Sequence, residues 1–426
     1  MPKVIVTDAS ERAALAVIRS LGKKGIEVTA ADSTGFNAGF LSKYCSKKFI
    51  YPSPIEKKSK FIDSMLHLVR NENFDLLIPI TDFTMIPILE NRDEFENHVR
   101  VAAPPWKIAI KAFDKAQTIK IAEKLGIPCP RTFLVENLDA VKEIADGLQY
   151  PAIIKPRMKV IWVEEKAIML KVTPRNYAYN REDLIARYLK ITSQLSKYNI
   201  QSDLFLIQEF AKGEGYGVEV LMDGLSPKAV FMHKRLREYP ITGGASTLRV
   251  SVWNKNLADY AVNLLREMGW QGVAMVEFKF NEKNGDASLM EVNGRFWGSL
   301  ALAINAGVDF PYLLYKVMVE GEEHPITIIN YKLGFIQRWL IPGDFLWLFD
   351  SLLENQECIH YSKVKILKQF LAFSPLPDDI ISLEDFLPTI GTLTDAIHYF
   401  LEVIRGKRTI YGEVRFKKPD LNTLLF

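Results

Sequence analysis

The chain reads VAMVEFKF at residues 273–280 and LMEVN at residues 289–293, with the turn Asn284-Gly285 between them. Apolar stretches on either side of an Asn-Gly turn predict a β-hairpin. Because successive strand side chains alternate between faces, Glu291 and Asn293 should project to the same side. Glu277 and Glu291 lie seven residues either side of Asn284, so their carboxylates are expected nearly opposite each other.

Two carboxylates that close repel each other, and neither has an obvious neutralising lysine on its own strand. The arrangement therefore predicts a cation, most simply Mg²⁺, held by the hard oxygens of Glu277, Glu291 and Asn293. Arg295 lies on the same face if the strand continues, and it is expected to hold an anion made at the metal. The alternative is a surface hairpin with solvated glutamates, which the apolar strands disfavour.

Composition narrows the class of protein. The 426 residues are 25% charged and 48% hydrophobic, which is typical of a globular chain of roughly two to four domains. The 54 Lys+Arg against 51 Asp+Glu leave a net charge of only +3, so no global basic field indicates nucleic acid or an anionic membrane. No stretch approaches the roughly 20 apolar residues of a membrane span.

The first residues lack the long apolar run and small-residue cleavage site of an export signal, so export is not expected. Cys45, Cys129 and Cys358 are far apart and odd in number, which argues against a disulfide framework or a zinc site. A cytoplasmic protein is therefore expected.

Residues 1–104 are predicted to form a Rossmann-like domain, because short apolar strands alternate with helical spacing. The predicted strands are residues 3–7, 26–30 and 76–80, and the first predicted helix covers residues 13–21. The turn after the first strand lacks the glycines of a dinucleotide site, which disfavours nicotinamide binding. Asp8 and Glu11 in this turn are interpreted as a helix N-cap and its partner.

Ala103-Pro104-Pro105 marks the first boundary, since consecutive prolines continue neither a helix nor a central strand. Residues 105–325 alternate strands and helices and are predicted to form the second domain. Residues 326–426 are aromatic and leucine-rich, which predicts a mainly helical C-terminal extension. Its role is left open between a homodimer contact and a specificity lid, with an exposed apolar face favouring the dimer.

The hairpin resembles the metal-binding signature of the ATP-grasp superfamily, and three further motifs follow the order that this superfamily uses. They are Asp114-Lys115 with residues 122–130, residues 150–156, and Ile207-Gln208-Glu209-Phe210. Over roughly residues 1–325 the chain resembles the carboxylate–amine ligases of this superfamily, of the carbamoyl-phosphate-synthase-like type. The resemblance implies an α/β and α+β fold: a Rossmann-like first domain, an ATP-grasp core of two lobes and the helical extension. It also implies ATP and Mg²⁺ as cofactors, with Mn²⁺ as an alternative ion.

The resemblance further implies the nucleotide-binding residues, which are Lys115, Lys155, Gln208, Glu209, Phe210, Ala211 and Glu214. The two lysines would offset the charge of the triphosphate. Glu209 would accept from the adenine amino group, and the main chain of Phe210 and Ala211 would bind the ring edge. Glu214 is assigned to the ribose, with Glu219 as the alternative.

One departure concerns the loop after the second lysine, where the superfamily has a glycine-rich cover for the phosphates. Residues 156–180 contain no glycine. The predicted side-chain substitutes are Arg157, Lys159, Lys166 and Lys171. The rival explanation is a degenerate loop with slow or absent turnover.

Arg235 and Arg237 stand at alternate positions ahead of Gly243-Gly244. Guanidinium groups grip planar oxyanions, so this pattern predicts a site for a carboxylate and its acyl phosphate. A surface strand with alternating charges is the alternative. With Arg295, these arginines are the predicted catalytic residues of a ligase that joins a small carboxylate to an amine. An ATP-grasp carboxylase or kinase, a nucleotide-binding protein without turnover and a nicotinamide-dependent dehydrogenase stay open.

Overall fold

The computed structural model describes residues 2–196, 204–240, 244–321, 327–328, 331–353, 363–372 and 376–405. A parallel sheet, two antiparallel sheets and a separate two-stranded hairpin organise these residues. This mixture confirms the predicted α/β and α+β class. Within these ranges no helix is long and apolar enough to cross a membrane.

The N-terminal sheet is five-stranded and parallel, with strand order β3-β2-β1-β4-β5. Its strands are β1 (Lys3–Val6), β2 (Glu27–Asp32), β3 (Lys47–Ile50), β4 (Leu76–Ile78) and β5 (Arg100–Val101), and its helices are α1 (Arg12–Lys23), α2 (Ala38–Leu41), α3 (Lys58–Asn71), α4 (Asp82–Glu90) and α5 (Arg92–Glu96). Strands β1, β2 and β4 are almost wholly buried, as parallel strands covered by helices are. The predicted strands and first helix are confirmed.

The turn between β1 and α1 differs from its interpretation as a capping motif. Helix α1 has Glu11 at its N-cap position, and no side chain there caps the helix. Asp8 instead has a positive φ of 54° and is buried, where its carboxylate accepts from the Thr84 hydroxyl at 2.6 Å and from the main-chain N–H of Thr81 at 3.0 Å. Asp8 therefore ties the turn to the start of α4.

A small four-stranded sheet, with order β10-β7-β11-β6, forms the next layer. The elements of this region are α6 (Trp106–Phe113), α7 (Lys115–Lys124), β6 (Thr132–Leu134), α8 (Leu138–Ala145), β7 (Ala152–Pro156), β8 (Val160–Val163), β9 (Lys166–Met169), β10 (Tyr177–Ala178), α9 (Arg181–Ser196) and β11 (Phe205–Glu209). One face of the sheet has its own core, in which Ile154 and Ile207 pack with Leu184 and Tyr188 of α9. The other face carries Lys155 and Gln208.

The largest sheet is antiparallel along the order β16-β15-β12-β13-β14-β18, and β17 pairs with β13. Its elements are β12 (Glu214–Asp223), β13 (Ser226–Tyr239), β14 (Ala245–Ser251), α10 (Lys255–Met268), β15 (Gly272–Phe280), β16 (Ala287–Asn293), β17 (Thr327–Ile328) and β18 (Ile336–Arg338). Val218, Val276 and Leu264 of α10 belong to one buried cluster that also reaches Phe61 in α3. This core joins the large sheet to the N-terminal region.

The C-terminal part is helical in the described residues apart from β17 and β18, which join the large sheet. Its helices are α11 (Leu300–Ala306), α12 (Phe310–Tyr315), α13 (Phe345–Leu353), α14 (Lys363–Ala372) and α15 (Leu387–Ile404). Buried ion pairs attach the extension: Asp344 binds Arg237 of β13 at 2.8 Å, and Asp379 binds Arg12 of α1 at 3.0 Å. The domain boundaries at residues 104 and 325 stay predictions.

Candidate functional site

The predicted hairpin forms as β15 and β16, and its carboxylates meet as expected. Glu277 pairs with Glu291 across the two strands, and Met275 pairs with Asn293. The Asn293 side-chain amide donates to Glu277 Oε1 at 2.8 Å and to Glu291 Oε1 at 3.3 Å. The three side chains that sequence reasoning assigned to a metal therefore converge on one place.

Cations from other elements surround these carboxylates. Lys159 Nζ lies 2.7 Å from Glu291 Oε1, and Lys115 Nζ lies 4.0 Å from Glu291 Oε2. Arg235 contacts Glu277 Oε2 at 2.6 Å. The neutralising groups come from the loop after β7, from α7 and from β13 rather than from the strands of the hairpin, so the carboxylate pair is neutralised here without a metal ion.

The pKa shifts reflect this burial and charge. Burial opposes ionisation of Glu291, but Lys159 and Lys115 outweigh it and hold the Glu291 pKa well below its usual range. Burial lowers the pKa of Lys115 to about 8, although Glu291 acts against it. Burial, with the charge of Lys115, lowers the pKa of Lys155 to about 8. The site is therefore a compact set of charged groups screened from water.

Lys155 lies on the face of the small sheet that bears Gln208. Lys155 Nζ donates to Gln208 Oε1 at 2.6 Å, and Gln208 Nε2 donates to the Thr132 hydroxyl at 2.9 Å. Lys115 begins α7 directly after Asp114, whose carboxylate caps that helix and pairs with Arg157 at 2.6 Å. Both predicted lysines thus have fixed surroundings near the carboxylate pair.

The predicted adenine hinge lies at the end of β11. Glu209 Oε1 accepts from the main-chain N–H of Gln149 at 2.9 Å. The main-chain N–H of Phe210 donates to Pro151 O at 3.1 Å, so that N–H is used within the protein, and the prediction that the main chain of Phe210 and Ala211 binds the ring edge stays a prediction. The roles of Glu209 and Ala211 stay predictions.

Two predicted residues point away from the site. Glu214 pairs with Lys234 at 2.5 Å and its side chain is 56% exposed, because strand alternation turns it to the face opposite Gly215 and Gly217. Arg237 binds Asp344 and the main-chain carbonyl of Gln369 in the C-terminal extension. The structure thus argues against Glu214 as a ribose ligand and against Arg237 as a catalytic group.

Glu219, the alternative to Glu214, faces the same side as Glu277 but is fully buried. Its Oε1 lies 2.5 Å from His233 Nδ1. A carboxylate closed in this way cannot meet a ribose without rearrangement, so neither acidic candidate is placed for that contact.

Sequence reasoning missed Asp82, which begins α4 after the third predicted strand. Arg295 Nε donates to Asp82 Oδ1 at 2.6 Å. Asp82 also lines a small cavity with Lys115, Lys159, Glu291 and Asn293, which Ile86, Ala112, Phe113, Met158, Val160 and Val292 complete. The position of Asp82 after the carboxyl end of a parallel strand could have identified it as a site residue, because ligands of α/β sheets bind there.

The glycine-free segment forms the hairpin of β8 and β9, which packs on residues 54–59 of the N-terminal region. Ala167 N–H donates to Ile55 O at 2.8 Å, and Glu165 accepts from Ser59 N–H at 2.8 Å. Of the predicted phosphate clamps, Lys159 reaches the carboxylates, whereas Lys166 lies 3.7 Å from Glu56. The hairpin thus covers one side of the site.

The donor set has the chemistry of a Mg²⁺ site, since two carboxylates and an amide oxygen are hard ligands. Lys159 Nζ, however, lies on two of these oxygens, Glu291 Oε1 and Asn293 Oδ1, at 2.7 and 3.0 Å. Among the described residues no group of three His, Cys, Asp or Glu side chains is placed to hold a metal. The oxygens of Glu277, Glu291 and Asn293 have the chemistry to hold a divalent ion, but Lys159 must first leave Glu291 and Asn293, and Arg235 contacts Glu277 Oε2.

Comparison with known proteins agrees with this geometry. A family model described as "ATP-grasp in the biosynthetic pathway with Ter operon" matches residues 201–334. The carbamoyl phosphate synthase large chain of Pyrococcus furiosus is 25% identical over 232 residues, which are 53% of this chain and 20% of that protein. The N-terminal section of the Methanopyrus kandleri large chain is 21% identical over 348 residues, 75% of this chain and 58% of that protein. The chain thus spans between a fifth and three fifths of the length of these two relatives.

Solved structures share the fold. A biotin carboxylase from Campylobacter jejuni in complex with β,γ-ATP has a TM-score of 0.61 at 16% identity, covering 79% of this chain and 74% of that one. An L-amino acid ligase from Bacillus licheniformis has a TM-score of 0.55 at 15% identity, covering 76% and 78%.

The family match over residues 201–334 and the sequence relatives confirm the expected resemblance to the ATP-grasp superfamily, and the solved structures show a shared fold. The sequence is similar to large chains of carbamoyl phosphate synthase, as the expected resemblance to the carbamoyl-phosphate-synthase-like type implied.

Proposed function

We propose that the protein is an ATP- and Mg²⁺-dependent ligase that activates a small carboxylate as an acyl phosphate and joins it to an amine, forming ADP and a C–N bond. The observation that carries this proposal is the meeting of Glu277, Glu291 and Asn293 with Lys115 and Lys155, which lie on the four elements β15, β16, α7 and β7. Mn²⁺ is proposed as a substitute ion, because the same oxygen donors suit it.

The first step requires charge control rather than acid–base chemistry. A carboxylate oxygen attacks the γ-phosphorus, the bond to the β,γ-bridging oxygen breaks, and ADP leaves with that electron pair. The chemistry that a bound Mg²⁺ supplies is neutralisation of phosphate oxygens, and Glu277, Glu291 and Asn293 would hold it. Lys115 and Lys155 bring two further positive charges to the same place.

Arg235 and Arg295 are proposed to orient the carboxylate and its acyl phosphate. Arg235 is held by Glu277 at 2.6 Å and by Glu238 at 3.4 Å, and Arg295 is held by Asp82. These pairs fix the directions of both guanidinium groups before substrate arrives, which favours a productive geometry.

The second step is attack of the amine on the acyl carbon. The amine nitrogen bonds to that carbon, inorganic phosphate leaves, and the nitrogen loses a proton. The sum is one amide, ADP and phosphate for each ATP consumed.

An ATP-grasp carboxylase or kinase is the second candidate, because it shares the phosphoryl transfer and differs only in the acceptor. A nucleotide-binding protein without turnover is the third. ADP release measured with a panel of amino acids, bicarbonate and hydroxyl compounds separates them. A ligase sustains ADP release over many turnovers only when a carboxylate and an amine are both present, and no acceptor stimulates the third candidate.

We also propose a homodimer that uses α15. Six apolar side chains lie exposed along this helix, which are Leu387, Ile390, Leu393, Ile397, Leu401 and Ile404, with exposures between 40% and 80%. A contiguous exposed apolar stripe is typical of a protein contact. The cytoplasmic location stays a prediction from the cysteine pattern; Cys45 and Cys129 are free thiols, and Cys358 lies outside the described residues.

A further inference from the structure

Lys159 stands where the superfamily has glycines, and its backbone is fixed on both sides. Its carbonyl accepts from Leu170 N–H at 2.8 Å, and two residues earlier Arg157 O accepts from Lys115 N–H at 3.0 Å. Arg157 in turn forms a fork with Asp114 at 3.1 and 2.6 Å. These contacts fix the main chain around Lys159. The fixed main chain limits the acceptors that the Lys159 ammonium can reach.

The ammonium takes the partners that a metal would take. It lies 2.7 Å from Glu291 Oε1 and 3.0 Å from Asn293 Oδ1. A divalent ion on the same oxygens would compete with this ammonium for their lone pairs, and the repulsion between the two positive charges would add to that competition.

We propose that Lys159 is a positioning residue that occupies the divalent-ion site until nucleotide arrives. The triphosphate offers the ammonium a second anion within reach of its flexible stem. Lys159 then exchanges Glu291 and Asn293 for phosphate oxygens and frees them for the ion. The inference rests on the proposed function, and it predicts that the ion enters only together with nucleotide.

The test measures Mn²⁺ binding to the nucleotide-free protein. The readout is the electron paramagnetic resonance signal of free Mn²⁺, which decreases as the ion binds. Lys159→Met keeps the length of the side chain and removes its charge, so it should bind Mn²⁺ at least about tenfold more tightly than the unmodified protein. Lys159→Arg keeps the charge and should bind as weakly as the unmodified protein.

Two controls locate the effect. Lys166 lies in the hairpin of β8 and β9, and its ammonium faces Glu56. Lys166→Met should therefore leave the Mn²⁺ affinity unchanged. The double variant Lys159→Met with Glu291→Gln should lose the gain, because the vacated site then lacks a charged ligand. A thermal unfolding curve for each variant shows that it is folded.

Equal Mn²⁺ affinity of the unmodified protein and Lys159→Met, with both folded, would overturn the inference, as would a gain that survives Glu291→Gln. The proposed function is judged separately, by binding of a Mg²⁺ complex of a nonhydrolysable ATP analogue to the unmodified protein. If the unmodified protein does not bind this complex, the proposed ligase function is contradicted. The comparison of Mn²⁺ affinities without nucleotide can still be interpreted.

Discussion

Two buried lysines, Lys115 and Lys155, bring positive charge to the carboxylate pair from α7 and β7. Burial lowers the pKa of each to about 8. A lysine with a depressed pKa is charged at neutral pH and loses its proton as the pH rises through 8, well below the usual value of about 10.4. The charge that would face a triphosphate is therefore sensitive to mildly alkaline conditions.

We expect the affinity for a nonhydrolysable ATP analogue to fall as the pH rises from 7 to 9, because the triphosphate binds the protonated lysines. The expected loss is about tenfold for each lysine that must be reprotonated. Isothermal titration calorimetry across this range measures it. Lys155→Met should bind more weakly at pH 7 and show a shallower profile, and an affinity that is constant from pH 7 to 9 would contradict this charge assignment.

Some site residues could be found from the sequence because their geometry is local. Glu277 and Glu291 belong to one hairpin, so counting from its turn is enough to place them opposite each other. Arg237 could not be placed by counting, because the register between β13 and β14 shifts between Arg235 and Arg237 and Asp344, 107 residues away, binds its guanidinium.

At the scale of elements, the hairpin of β8 and β9 lies in the segment where the resemblance implies a glycine-rich loop. This hairpin docks on residues 54–59 of the N-terminal region. Trp162 lies on β8, with its indole N–H 3.4 Å from Pro54 O and the Lys58 ammonium 5.1 Å from its ring. Glu165 accepts from both the N–H and the hydroxyl of Ser59. Contacts with Pro54, Lys58 and Ser59 therefore hold this hairpin against the N-terminal region.

We expect Glu165→Ala to loosen this hairpin without unfolding the protein. Amide hydrogen exchange at Ala167, whose N–H donates to Ile55 O, should become faster by about fivefold or more, since two hydrogen bonds to Ser59 are lost. Glu143→Ala removes an exposed carboxylate from α8 and serves as the control. Unchanged exchange at Ala167 would show that Glu165 does not hold the hairpin.

The docking of this hairpin could not be predicted from the sequence. Its strands are short, and its partners lie about a hundred residues earlier, so no local spacing relates them. The hairpin of β15 and β16 and the parallel sheet could be predicted, because turn chemistry and apolar periodicity act over a few residues. The composition of residues 326–426 predicted helices but not the two strands that join the large sheet.

At the scale of the whole molecule, buried charges join the C-terminal extension to the two preceding regions. Asp379 binds Arg249 of β14 and Arg12 of α1, and the Asp379 and Arg249 side chains are 1% and 0% exposed. The extension is therefore anchored rather than hinged at this point, which argues against a freely opening lid there.

Asp379→Ala should destabilise the protein by about 3 kcal/mol, because it leaves two buried guanidinium groups without their carboxylate. Chemical denaturation measures the free energy of unfolding. Glu384→Gln, which alters an exposed pair with Lys23, should cost less than about 1 kcal/mol. Equal effects of the two substitutions would contradict an anchoring role for Asp379.

Association through α15 is tested by sedimentation velocity. Ile397 is 52% exposed, and Ile397→Glu should weaken the dimer by about tenfold or more, since a charge would enter an apolar contact. Leu225→Glu, at an exposed turn between β12 and β13, is the matched control. A protein that sediments as a monomer at all concentrations would exclude this dimer.

The most direct measurement of the central claim is the Mg²⁺-dependent affinity for a nonhydrolysable ATP analogue in Glu291→Gln beside Glu282→Gln. Both glutamates belong to the segment from β15 to β16, but only Glu291 lies with Glu277 and Asn293, whereas Glu282 pairs with Lys234. We predict that Glu291→Gln loses most of the Mg²⁺-dependent affinity, by about tenfold or more, and that Glu282→Gln keeps it. Unchanged affinity in Glu291→Gln would contradict the assignment of this hairpin as the metal and nucleotide site.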